Sequence, residues 1–139
     1  MTTTAQALPE VGAVLPELRF PATRATAVRY AGASNDFNPI HYSDRTAAAM
    51  GLPGVLAHGM WTMGSALRIV TDWVGDPAKV RSYSLRFTKP VVIPDTDEGT
   101  EVVVKGAVTA VNDGVVTVTL EATCGTEKVL GNAVVEVVW

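Results

Sequence analysis

Gly59-Met-Trp-Thr-Met-Gly-Ser-Ala-Leu-Arg-Ile-Val-Thr-Asp-Trp-Val74 is the longest helical candidate in the sequence. Met60, Met63, Leu67, Ile69, Val70, Trp73 and Val74 cover most of the circumference of a 3.6-residue repeat, and only Arg68 and Asp72 are strongly polar. A helix that is apolar nearly all round is wrapped by other structure and does not lie on a surface. At ~1.5 Å per residue it spans about 24 Å, the width of a small sheet. The two charges also set it apart from a membrane span.

The material for a sheet lies downstream. Arg81–Phe87 alternates, with Tyr83, Leu85 and Phe87 on one face and Ser82, Ser84 and Arg86 on the other. Val91–Pro94 is a short proline-bounded segment. Glu101–Val111 is rich in valine and runs into Asn112-Asp113-Gly114, a hairpin signal. Val116, Val118, Leu120, Ala122 and Cys124 then alternate with threonine and glutamate, and Gly125-Thr126 turns the chain into Lys128–Val138. Upstream, Val11–Phe20 reads as a first strand or an extended lead-in. Ala25, Val28, Tyr30 and Ala31 fall at helical spacing behind Thr23 as N-cap, with Gly32 near the stop. A second short helix, Asp44–Met50, is capped by Ser43 and ended by Gly51. The fold class is therefore α+β: helices in the N-terminal half, and an antiparallel sheet mainly from the C-terminal half with the long helix across it. The 139 residues suit a single domain over 1–139, with residues 1–10 as a flexible arm.

Composition narrows the function classes. Apolar residues make up 47% of the chain and charged residues 18%, which implies much buried surface, part of it available to an oligomer interface. The net charge of −3 leaves no cationic footprint for nucleic acid. With one cysteine, Cys124, neither an internal disulfide nor a cysteine-rich zinc site forms, and a cytoplasmic location is expected. Cys124 itself reads as a small core residue. The N-terminus lacks the basic and apolar regions of a secretory signal.

The chemistry gathers in Tyr30-Ala-Gly-Ala-Ser-Asn-Asp-Phe-Asn-Pro-Ile-His41. Pro39 fixes its own φ and drives Asn38 toward extended geometry, so Asp36 and His41 belong to a tight loop able to aim both at one spot. Singly, each has a plain structural reading. Asp36 suits an Asx turn, Asn38 a turn residue, His41 a satisfied surface histidine and His58 the lead into the long helix. Asp36, His41 and His58 also contain the elements of a two-histidine, one-carboxylate metal site, but their spacing matches no ligand motif. No metal or redox cofactor is expected. Ser34 and Ser65 lack a nucleophile elbow, and Cys124 sits in a strand pattern. Acid–base work remains. A carboxylate and an imidazole converging on one water can shuttle protons, and free amides at the start of the long helix near Gly59 can polarise a carbonyl. These parts suit removal of a proton α to a thioester with loss of water at the β carbon.

Asp36-Phe-Asn38-Pro39-Ile-His41 resembles the hydratase motif of the MaoC-like family, which includes R-specific enoyl-CoA hydratases and 3-hydroxyacyl-thioester dehydratases. Ala57-His58-Gly59-Met60 is similar to the family's second landmark, and the likeness runs over essentially the whole chain. Trp73-Val-Gly-Asp-Pro77 and Arg86-Phe-Thr88 are similar to the B subunits of mycobacterial 3-hydroxyacyl-ACP dehydratases. The resemblance implies a hot-dog fold, an antiparallel sheet around a central helix, with two units pairing as a homodimer or as a heterodimer with a related subunit. It implies Asp36 and His41 as the catalytic dyad, Asn38 and His58 as supporting residues, and the Gly59 amide on the thioester carbonyl. Asn35 stands where relatives often have glycine, and asparagine tolerates the left-handed geometry such a turn needs. The reaction expected is dehydration of (R)-3-hydroxyacyl thioesters or the reverse hydration. The carrier is ACP on the B-subunit likeness, with CoA as the alternative. Lys79, Arg81, Arg86 and Lys89 are candidates for a carrier-docking patch. A hot-dog thioesterase and a non-catalytic partner subunit are the competing classes.

Overall fold

A computed structural model describes residues 6–139. In chain order its elements are β1 (Leu18–Ala22), α1 (Arg24–Ser34), α2 (Asp44–Ala49), α3 (Gly59–Val74), β2 (Val80–Phe87), β3 (Thr100–Asn112), β4 (Val115–Cys124) and β5 (Glu127–Val138). The strands form one antiparallel sheet in the order β1-β3-β4-β5-β2. The long β3–β4 hairpin turns at Asp113 and Gly114, both at positive φ, 49° and 76°, as a two-residue hairpin with right-handed twist requires.

The period-2 pattern sets the layers. Val102, Val104 and Val108 of β3, Val116, Val118, Leu120 and Ala122 of β4, and Ala133, Val135 and Val137 of β5 are buried in one cluster with Ala66, Ile69, Val70 and Val74 of α3. The long helix thus lies across the sheet with its Thr62–Val74 face down. Its burial is one-sided, unlike the all-round burial its composition suggests. Met60, Gly64, Arg68 and Asp72, each four residues from the next, form an exposed stripe. Met63, Leu67 and Trp73 are half-buried along the flanks.

Two other expectations shift. The first strand is Leu18–Ala22, and Val11–Leu15 is a lead-in bound along β3 by Gly12 N–H to Val108 O, Val108 N–H to Ala13 O and Leu15 N–H to Gly106 O. Pro16 cannot donate to a ladder, and Pro21 is tolerated because β1 is an edge strand. The proposed arm is partly anchored, since the Trp139 indole donates to the Gln6 carbonyl at 2.9 Å; its residues 1–5 lie outside the described residues. Cys124 is half-buried at the end of β4, beside the Thr100 hydroxyl at 3.2 Å. No helix among the described residues is long and apolar enough to cross a membrane.

Val91–Ile93 joins no strand of the sheet but does the most to place the site. Ile93 N–H donates to Val55 O, Ala57 N–H donates to Val91 O, and both Val91 and Ile93 are buried. This stitches the lead into α3 onto the molecule. The Arg24 guanidinium ties the start of α1 to the Ile93 carbonyl and, bidentately, to Asp44 at the start of α2.

Candidate active site

The site is assembled from three chain segments. The first is the loop after α1. Thr23 caps α1 as expected, but the helix runs past Gly32 to Ser34 and stops because Asn35 takes the left-handed conformation, φ 60° and ψ 23°. The loop then folds on its own side chains. The Asp36 Oδ1 accepts from Asn38 N–H at 3.1 Å, and the Asn38 Oδ1 accepts from Ile40 N–H at 3.2 Å, which starts a 3-10 turn over Pro39–His41. Asn38 therefore holds the loop, and the second Asp36 oxygen is left free of the turn.

That oxygen, Oδ2, faces His41 Nε2 at 3.8 Å. The Asp36 side chain is 51% exposed and that of His41 10%. The second segment fixes the imidazole: His41 Nδ1 lies 2.7 Å from the Leu56 carbonyl, while Leu56 N–H donates to the Ile40 carbonyl. A carbonyl only accepts, so the hydrogen-bond network assigns the His41 proton to Nδ1. The Nε2 lone pair then points toward Asp36. A separation of 3.8 Å is too long for a direct hydrogen bond and leaves the two acceptors to share one hydroxyl or water between them.

The third segment is the start of α3. His58 is its N-cap and provides no side-chain cap, so the amides of the first turn have no helical acceptor. Gly59 and His41 line one cavity of about 280 Å³ with Leu56, Thr62, Phe87 and Lys89. A Cβ on Gly59 would stand only 3.1 Å from the Phe87 ring, so glycine is what lets ring and helix end lie this close. His58 is buried, stacks on His41 with ring centroids 3.7 Å apart, and places Nε2 3.1 Å from the Asp36 carbonyl.

The structure thus brings Asp36, His41 and His58 together, one donor atom from each lying within 4.8 Å of the others, and sets Gly59 on the same cavity as His41. His41 Nδ1 and His58 Nε2 are engaged by backbone carbonyls and the two rings are stacked at 22°, which leaves His41 Nε2 and His58 Nδ1 as the nitrogens free of backbone partners. Of the four basic docking candidates, Lys89 alone is a cavity residue. Lys79 sits over the Trp139 ring and Arg81 approaches Glu136. The Leu56 carbonyl, Thr62 and the Phe87 wall were not found by sequence reasoning. The first is backbone and leaves no residue-type signal, whereas Phe87 does stand in the Arg86-Phe-Thr88 segment.

The pattern of the MaoC like domain matches residues 8–126. The chain belongs to the MaoC-like family. The 3-oxo-4,17-pregnadiene-20-carboxyl-CoA hydratase beta subunit of Mycobacterium tuberculosis is 39% identical to this MaoC-like chain over 108 residues, which cover 78% of the chain and 80% of that subunit. Among solved structures, a chain of the ChsH1-ChsH2 complex from Mycobacterium tuberculosis superimposes with a TM-score of 0.82 at 31% identity, covering 95% of this chain and 100% of that one. The (R)-hydratase from A. caviae involved in PHA biosynthesis gives 0.78 at 26% identity, with 97% and 100% covered. The single sheet, the helix across it and these neighbours make this a hot-dog fold, as the sequence resemblance implied.

Proposed function

We propose that this MaoC-like chain is a hydro-lyase that adds water to trans-2-enoyl thioesters to give (R)-3-hydroxyacyl thioesters and catalyses the reverse dehydration, with Asp36 and His41 as its acid–base pair. The observation that carries the reading is the 3.8 Å gap between Asp36 Oδ2 and His41 Nε2, beside a cavity whose other wall is the start of α3 at Gly59. In the hydration direction a water held in that gap bonds through oxygen to the β carbon while the pair takes one of its protons. The electrons of the double bond move onto the thioester oxygen, which the amides of the α3 start stabilise; one such donor is worth about 2.7–4 kcal/mol. The pair then delivers a proton to the α carbon and returns to its starting state. Hydrogen and hydroxide, both from one water, have been added across the double bond.

CoA is the carrier we adopt. The support is a relative of which this chain covers 80% and which is named for a CoA ester. Lys89 on the cavity wall supplies a cation for the carrier's phosphates. A partner subunit is part of the proposal, because that relative is a beta subunit and the solved neighbour is a complex. The exposed stripe of α3 and the unpaired edge of β2 give such a partner room. The test is chiral product analysis with crotonyl-CoA, longer enoyl-CoA esters and the matching carrier-protein thioesters, run beside a native-mass measurement. R product from CoA esters is expected. Preference for the carrier-protein substrates overturns the carrier assignment, and thioester hydrolysis without hydration overturns the reaction.

A further inference from the structure

His58 takes no part in the acid–base steps above, yet it contacts both members of the proposed pair and adjoins Gly59. Its ring is 2% exposed, stacks on His41 at 3.7 Å and 22°, and meets the Tyr30 ring edge-on at 4.8 Å. Its Nε2 is 3.1 Å from the Asp36 carbonyl, and its backbone immediately precedes Gly59. Because a carbonyl only accepts, Nε2 carries a proton. Nδ1 is then the buried side-chain nitrogen without a hydrogen-bond partner among the described residues. A second proton there would have no hydrogen-bond acceptor in a buried site, which costs far more than a bare lone pair. Even the lone pair is a cost that an apolar side chain of the same size would avoid. The position holds histidine despite that cost, and what histidine supplies there is a small flat ring with a donor at its far end.

We infer that His58 is a positioning residue. As the neutral Nε2–H tautomer it holds the Asp36 backbone, backs the His41 ring, and so fixes the gap between the two reacting groups relative to Gly59. The role rests on the hydratase reading above. It acts through geometry, and displacements of about 1 Å in such a site cost on the order of 10²-fold in rate.

The test uses two substitutions and one spectrum. His58→Phe keeps the stacked ring and deletes the donor; His58→Gln places an amide N–H near the position of Nε2 and deletes the ring. With the chain in its native assembly and an enoyl-CoA substrate, His58→Phe is expected to lower kcat by about 10- to 100-fold with KM within about threefold, and His58→Gln to recover most of the loss. Wild-type kcat in His58→Phe overturns the inference, as does a His58→Gln variant no better than His58→Phe. Independently, long-range proton–nitrogen spectra of histidine-labelled wild-type protein at neutral pH are expected to show His58 as the Nε2–H tautomer. An Nδ1–H tautomer or an imidazolium overturns the inference. An inactive wild-type protein whose spectrum shows the Nε2–H tautomer counts against the hydratase reading and supports the placement of His58.

Discussion

Replacing Asp36 with asparagine separates the structural from the chemical duty of this side chain. Asparagine keeps an oxygen for the Asn38 amide, now bonded at 3.1 Å, so the turn that delivers His41 survives. What is lost is the negative charge 3.8 Å from His41 Nε2. For an imidazole that gains a proton during the reaction, a charge at that distance is worth about 1 kcal/mol in bulk water and about 4 kcal/mol at an effective dielectric of ~20. The carboxylate is 51% exposed, which weights the lower part of that range. Loss of the acid–base function itself adds to this, since positioned proton transfer contributes about 10²–10⁴-fold, or about 2.7–5.4 kcal/mol of barrier. The new amide group also turns an N–H toward the gap where the carboxylate presented an acceptor, so a water there loses one of its two acceptors. The expected outcome is a kcat at least about 10²-fold below wild type with a nearly unchanged melting temperature. The assay is loss of enoyl-thioester absorbance at saturating substrate, with melting followed by circular dichroism. A folded Asp36→Asn protein with kcat within about threefold of wild type would refute the assigned chemistry.

Three further predictions probe the surrounding structure. Gly59→Val is expected to lower kcat/KM by about 10²-fold, because its side chain enters the cavity against the Phe87 ring; unchanged kinetics would remove Gly59 from the site. Arg24 holds the Asp44 carboxyl below the usual carboxylate range, mainly through their hydrogen bonds. A depressed folded-state value means that this pair stabilises above the ordinary carboxylate range and fades as pH falls through the depressed one, so the melting-temperature gap between wild type and Asp44→Asn should close in acid. A gap independent of pH would sink that assignment. Gly99 has φ +62°, and a Cβ there would run into the Ala22 carbonyl oxygen, whereas Gly114 at φ +76° opens onto free space. Gly99→Ala should therefore cost more than about 2 kcal/mol, lowering the melting temperature by about 6 °C or more, and Gly114→Ala clearly less; equal effects would refute the steric argument.

Much of the fold was legible because its signals are local. The long helix runs over Gly59–Val74 as its apolar pattern indicates, and the β3–β4 hairpin turns at Asp113-Gly114. Errors arose where a boundary depends on contacts. Gly32 looked like the stop of α1, but a glycine inside a helix only weakens it, and the left-handed residue is Asn35. Val11–Phe20 reads as a first strand or an extended lead-in and divides between the two: β1 begins only at Leu18, and Val11–Leu15 is a lead-in held by a few backbone bonds along β3. The site divides in the same way. The Asp36–His41 spacing across Asn38-Pro39 was readable, because a proline turn is local chemistry. The Leu56 carbonyl that sets the His41 tautomer was not, because it is placed by Val91–Ile93, some 35 residues further on in sequence.

The two readings of Asp36, a common Asx turn and one half of a reacting pair, looked like alternatives in the sequence. In the fold they belong to different oxygens of one carboxylate. Oδ1 is spent on the Asn38 amide, and that bond is what aims Oδ2 at His41. In the proposed reaction the turn is therefore what orients the carboxylate, and the same holds for His41, whose Nδ1 bond to Leu56 leaves Nε2 facing the gap. In each residue one polar atom is tied to backbone and the other is turned toward the gap. A loop that is exposed from Asn35 to Pro39 gains from this arrangement the fixed geometry that a surrounding core would otherwise provide. That is how a short polar turn with few buried contacts holds its polar groups in the geometry the proposed reaction requires.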